Sequence, residues 1–70
     1  MKHFNVLDVV ALLHELPEKN ILKGQVGTIV EKLDDNVFEV EFCNNNGETI
    51  ALETLSAKEL FLLHFELSTR

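Results

Sequence analysis

The chain has 70 residues, Asp and Glu outnumber Lys and Arg by 12 to 6, and the net charge is −6 with a pI near 4.8. That length makes one small domain, able to bury only roughly 60% of the surface its unfolded chain exposes. The balance of charge disfavours a phosphate-backbone ligand, since nucleic-acid affinity comes largely from clustered Lys and Arg. One cysteine rules out an internal disulfide, and no signal-peptide pattern or long apolar run is present, so a reducing cytoplasm is the expected setting and no membrane contact is expected.

Residues 6–13, Val-Leu-Asp-Val-Val-Ala-Leu-Leu, form an almost continuous apolar run. The β-branched Val6, Val9 and Val10 and the nearby Pro17 predict a strand, with a short helix as the lesser alternative. Residues 14–24 carry Pro, Asn, Gly and charges and read as an exposed loop, anchored to the core by Ile21 and Leu22. Gly24 and Gly27 then enter Thr28-Ile29-Val30-Glu31. A Gly-x-x-Gly leading into a β-branched run predicts a strand over residues 25–33 that begins in a tight, bulged turn.

Residues 34–36, Asp-Asp-Asn, make a short hairpin turn. The strict alternation of Val37-Phe38-Glu39-Val40-Glu41-Phe42 puts Phe38, Val40 and Phe42 on one face and Glu39 and Glu41 on the other, as in a half-buried strand. Asn44-Asn45-Asn46-Gly47 is a second turn, with Asn46 and Gly47 as natural left-handed positions. Residues 48–54 continue the meander with Ile50 and Leu52 on the apolar face. Ser56 and Glu59 have capping-box spacing and predict a single helical turn. Residues 60–67 alternate, with Phe61, Leu63, Phe65 and Leu67 of one parity and His64 and Glu66 of the other, which favours a closing strand over a helix.

This order of elements, with Asp8-Val9-Val10-Ala11-Leu12, Leu16-Pro17 and residues 24–30 as its strongest parts, resembles the small bacterial family of domain of unknown function 4926 over about residues 7–60. The resemblance implies an all-β, SH3-like barrel of about five antiparallel strands with one short helical turn before the last, and it brings no catalytic residues. The glycine pattern is also similar to KOW-type barrels, whose strands can face RNA. Here its neighbours are Glu31, Asp34, Asp35, Glu39 and Glu41, and there is no Tyr or Trp to stack on a base.

Cys43, His3, His14 and His64 are the metal-ligating and nucleophilic candidates, and no pair has a CxxC, HxH or HxxxH spacing. No cofactor or catalytic activity is expected. Gly24, Gly27 and Gly47 are expected to shape turns. The candidate interaction surface has an acidic and an apolar part. Residues 36–70 hold Glu39, Glu41, Glu48, Glu53, Glu59 and Glu66 against Lys58 and Arg70. In an antiparallel meander Glu31, Glu39, Glu41 and Glu53 would occupy neighbouring outward positions and repel one another, a cost that a basic protein partner relieves. The bland alternative is solvated charge that discourages edge-to-edge aggregation. Leu62 has the parity hardest to satisfy in a lone barrel, which suggests a homodimer or a heteromer with an operon-encoded protein through the last strand. The expected function is a noncatalytic protein-interaction module. The alternatives are a small-ligand or nucleic-acid-binding barrel, or an accessory subunit of an enzyme.

Overall fold

A computed structural model of the chain describes residues 3–63. Strands β1 (Val9–Leu12), β2 (Val26–Asp34), β3 (Val37–Cys43), β4 (Thr49–Ser56) and β5 (Leu60–Leu62) form one antiparallel sheet in the order β4-β3-β2-β1-β5. The only helical elements among the described residues are two 3₁₀ turns, Pro17–Lys19 and Ala57–Glu59. The all-β fold with five antiparallel strands and a turn before the last is therefore as expected. The sheet is not closed into a barrel: among the described residues β4 pairs with β3 and β5 with β1, and the two edges do not pair with each other.

β4 and β5 nonetheless lie at opposite ends of the sheet order while only Ala57–Glu59 separates them in sequence. In a flat sheet the outermost strands of five would stand about 19 Å apart. Residues four apart, such as Ser56 and Leu60, cannot be separated by more than about 14 Å. The sheet has to curl, and its concave face becomes the core. Val10, Leu12, Ile29, Phe38, Val40, Phe42, Leu55 and Leu60 are buried there, each contributing about 1.5–3 kcal/mol of apolar transfer energy when it is a large side chain.

The curl has identifiable sources. The β2–β3 ladder shifts register between Ile29 and Glu31 and between Lys32 and Asp34, and the β3–β4 ladder shifts at Phe42/Cys43. Each such bulge bends and twists its strand. Gly27, buried and paired with both Val10 and Phe42, supplies a close approach: a Cβ there would lie 2.8 Å from Val40 Cγ1 and 2.9 Å from the Glu41 carbonyl oxygen and Phe42 Cδ1.

Several local expectations are corrected. Residues 6 and 7 do not extend the first strand. They form a turn in which the Asp8 N–H donates to the Asn5 carbonyl at 3.0 Å and Asp8 Oδ2 accepts from the Asn5 N–H at 2.8 Å, with Leu7 at φ 78°. The turn is held to β2 by the Leu7 N–H on the Ile29 carbonyl, 2.7 Å, and the Ile29 N–H on the Asp8 carbonyl, 2.9 Å. In the long loop Ile21 is the anchor, wholly buried and bridged to Leu16, whereas Leu22 is 66% exposed. The left-handed position of the second hairpin is Gly47 alone, at φ 81°. Asn44 exchanges backbone hydrogen bonds across the turn, accepting from Gly47 and donating to Glu48, and its Oδ1 accepts from the Asn46 and Glu48 N–H groups.

The parity of β4 is also opposite to expectation. The extra residue at the bulge sets Phe42 against Ala51 and Phe38 against Leu55, so Ala51, Glu53 and Leu55 face inward. Ile50 and Leu52 point out, 48% and 53% exposed. Phe4, which no periodicity singles out, is 3% exposed and stacks at 60° on Phe38 with centroids 5.5 Å apart, closing one end of the core. The expected extension of the last strand to Leu67 lies outside the described residues beyond Leu63.

Two substitutions test this account by urea denaturation. Gly27→Ala lowers stability by about 2–3 kcal/mol, because Val40, Phe42 and the Glu41 carbonyl are packed where the methyl would go. Leu7→Gly raises it by about 0.5–1 kcal/mol, since the left-handed backbone then carries no Cβ strain and the exposed leucine gives up no core contact. An unchanged midpoint for either variant would contradict the corresponding reading.

Candidate functional site

The outer, convex face of the sheet brings together part of the candidate surface. Glu31 of β2 stands directly opposite Glu39 of β3, and Thr28 opposite Glu41. On the other side of β3, Glu39 is paired with Thr54 and Glu41 with Leu52. Like charges directly opposite one another on antiparallel strands are unfavourable. The two carboxylates of β3 are turned toward β4 instead: Thr54 Oγ1 donates to Glu39 Oε1 at 2.8 Å, and Thr49 Oγ1 donates to Glu41 Oε2. The threonine hydroxyls thus hold the acidic groups over the edge strand.

Glu53 leaves the set. Its register partner is Val40, whose side chain is in the core, so Glu53 sits on the inner side of β4 and forms an ion pair with Lys19 Nζ at 3.2 Å. This contact ties the 3₁₀ turn of the long loop to β4 at the mouth of the core. Leu62 is corrected as well. It shares the parity of the buried Leu60, is half-buried and packs against the core, while Phe61 is the outward residue of β5, 49% exposed. Sequence parity misassigned Glu53 because it could not locate the bulge in β4, and Leu62 because the alternation of residues 60–67 does not say which parity faces the core.

The three glycines are placed where local geometry uses them. Gly24 at φ 87° turns the chain into β2, Gly47 turns the second hairpin, and Gly27 sits within β2 between Val10 of β1 and Phe42 of β3. A shallow groove on the outer face runs between the turn at Leu22, Lys23 and Gly24 and the outward side of β3 at Glu41 and Cys43. Cys43 is a half-buried free thiol at the end of β3. Among the described residues, which include His3, His14 and Cys43 but not His64, no group of three or more His, Cys, Asp or Glu side chains is placed to hold a metal ion.

A polar junction not anticipated from the sequence joins the long loop to the turn before β5. His14 Nε2 and Glu59 Oε1 are 2.9 Å apart, and His14 Nδ1 lies 3.0 Å from the Glu15 carbonyl oxygen. Glu59 Oε2 accepts from the Ser56 N–H at 2.7 Å and from Ser56 Oγ at 3.1 Å, the capping box expected from the spacing, and the Leu13 N–H donates to the Glu59 carbonyl. The hydrogen bond with Glu59, helped by the Glu15 carbonyl, raises the His14 pKa above 6.5. The Ser56 N–H, followed by His14 and the Ser56 hydroxyl, lowers that of Glu59 below 4.5 against a desolvation that pulls the other way. The signal available in the sequence was Glu59 of the capping box; its pairing with a residue 45 positions away needs the fold.

The Domain of unknown function (DUF4926) family model matches residues 6–62, most of the chain. A five-stranded, all-antiparallel sheet domain is the class that the fold defines. The chain belongs to the DUF4926 family. No curated protein and no solved structure matches it. Among the described residues no helix is long and apolar enough to cross a membrane.

The His14–Glu59 pair predicts a specific pH dependence. A raised histidine pKa contributes stability that is complete below 6.5 and lost as pH rises through the folded value; a lowered glutamate pKa contributes stability present above 4.5 and lost as pH falls through its folded value. The stability difference between the native chain and His14→Gln is therefore largest between those two values and shrinks on either side. Denaturation midpoints followed from well below pH 4.5 to well above pH 6.5 that run parallel for the two proteins throughout would sink the assignment.

Proposed function

We propose that this chain is a noncatalytic protein-interaction module whose acidic outer sheet face docks a basic protein partner. The observation that carries the reading is the direct cross-strand opposition of Glu31 and Glu39, with Glu41 two residues further along the same face of β3. Carboxylates so placed repel in the isolated domain, and a cationic group inserted among them converts that repulsion into attraction. The exposed Ile50 and Leu52 on the adjoining strand add apolar area to the same face. A net charge of −6 extends the effect to encounter, because an acidic chain accelerates association with a basic one at low ionic strength.

The other class considered, a nucleic-acid-binding or small-ligand barrel, gains no support from this face. Stacking platforms and cationic grooves are the features such ligands use, and the groove beside the glycine turn is lined by one cation, Lys23, one anion, Glu41, and no aromatic side chain.

The test is retention of protein from native-host lysate on the immobilised chain at low and at high salt, beside the Glu39→Lys/Glu41→Lys double variant. A basic protein held at low salt, released at high salt and not held by the variant is the expected result. A partner held equally by both chains, or none held by the native one, would refute the acidic-face reading.

A further inference from the structure

β4 is a long edge strand. It runs for eight residues, Thr49–Ser56, and among the described residues it is paired on one side only, with β3. Proteins ordinarily protect a long edge with Lys, Pro, a very short strand, a bulge, an inward charge or a covering loop. β4 contains no Pro and no Lys or Arg; its bulge is confined to its first residues, between Thr49 and Ala51, and its single charged residue, the inward Glu53, is paired with Lys19, which leaves the outward side of residues 51–55 uncharged. Its outward positions are Ile50, Leu52 and Thr54. The opposite edge, β5, is three residues long in the described part.

We infer that β4 is a strand-addition site, at which an extended basic segment of a partner pairs with the free side of β4 and sets its Lys or Arg side chains over Glu39 and Glu41. This rests on the acidic-face reading and specifies how the partner is held. An added strand would lie about 4.8 Å beyond β4, with alternate side chains on the outer face. The carboxylates belong to β3, one strand further in, yet the hydroxyls of Thr49 and Thr54 draw them over β4 itself. A Lys or Arg on the added strand can lay its aliphatic stem across Leu52 or Ile50 and bring its charged head to Glu41 or Glu39, since each carboxylate accepts more hydrogen bonds than a single hydroxyl supplies.

Charge complementarity selects the occupant. A second copy would bring the same acidic outer row and a further net charge of −6 to the same edge, so a basic segment from another protein is favoured over β4 pairing with itself. Backbone hydrogen bonds to β4 then provide affinity that tolerates varied sequence, and the alternation of cationic side chains provides selection.

The experiment uses the full chain with a short synthetic peptide of alternating lysine and valine at low salt, read by titration and by amide hydrogen exchange. The expected result is saturable binding that slows exchange at alternate amides of residues 49–56, with affinity reduced at least about tenfold in Thr49→Val/Thr54→Val, which keeps every charge and the β-branched shape but releases both carboxylates. Binding that is abolished by Glu39→Lys/Glu41→Lys yet leaves β4 exchange unchanged would overturn strand addition and leave the acidic-face reading standing. Protection of β4 that survives this charge reversal would overturn both. Protection of β4 that grows with protein concentration in the absence of peptide would replace the proposed partner with a second copy of the chain, and no binding at all would overturn strand addition outright.

Discussion

The structure depends on one connection: the three residues of Ala57–Glu59 join the two opposite edges of a five-stranded sheet. So short a link is incompatible with a flat sheet, and it forces a curvature that gives one sheet two unlike faces. The concave side can then serve as a core without a second layer, with Phe4 and Ile21 supplied by the N-terminal segment and the long loop to fill its ends. The link itself is secured at both ends. Ser56 and Glu59 satisfy each other through the capping box, the Ala57 N–H donates to the Asn36 carbonyl in the first hairpin turn, and the Leu13 N–H donates to the Glu59 carbonyl. His14 adds a side-chain bond to the same carboxylate. Residues from the segment just after β1, the β2–β3 turn and β4 therefore meet at the point where the curvature is imposed.

What was legible in the sequence follows from this division. β3 sits in the middle of the curl with one face in the core, and its strict alternation of Phe38, Val40 and Phe42 with Glu39 and Glu41 predicted both its extent and its faces. The capping box was equally local, needing only Ser56 and Glu59 in the correct spacing. β4 was recognised as a strand and assigned the wrong face, because one extra residue at the bulge near Cys43 reverses the parity of everything after it. Glu53 and Leu52 exchanged sides for that reason alone. Leu62 shows the same weakness, since the inward parity of β5 is fixed by Leu60 at the end of the 3₁₀ turn and not by the alternation that follows.

Long-range pairings were the part that no local pattern contained. Lys19–Glu53 and His14–Glu59 both link the long loop to the second half of the chain, and although Glu53 and Glu59 stood out individually, neither pairing is marked by spacing or composition. Their energetic weight is modest, as for partly exposed pairs generally, but their positions matter. One holds the loop against the inner side of β4 and the other holds it against the turn before β5. The loop thus spans the opening between the sheet edges, and the buried Ile21, two residues beyond Lys19, is the apolar group that makes the arrangement worthwhile. The acidic candidates were found as a group because their type is conspicuous; which of them share a face was decided by register.

The exposed apolar residues have a geometric origin before any functional one. A sheet of this size curled around a single layer of side chains encloses little volume, and 46% of the chain is hydrophobic. Val26, Val30, Ile50, Leu52 and Phe61 are left on the outside, at 38–53% exposure. Scattered singly such residues would carry no information. Ile50 and Leu52 are different because they alternate along a long edge strand and lie beside carboxylates that threonine hydroxyls hold in place. Fixing an ionised carboxylate over an apolar strip restricts its solvation and its motion together, which is unfavourable for an isolated domain and suits a face already arranged for a cation with an apolar stem. Curvature leaves the apolar groups outside, and register sets them next to the charges, so the two properties that a basic extended partner would use arise from the same bend in the sheet.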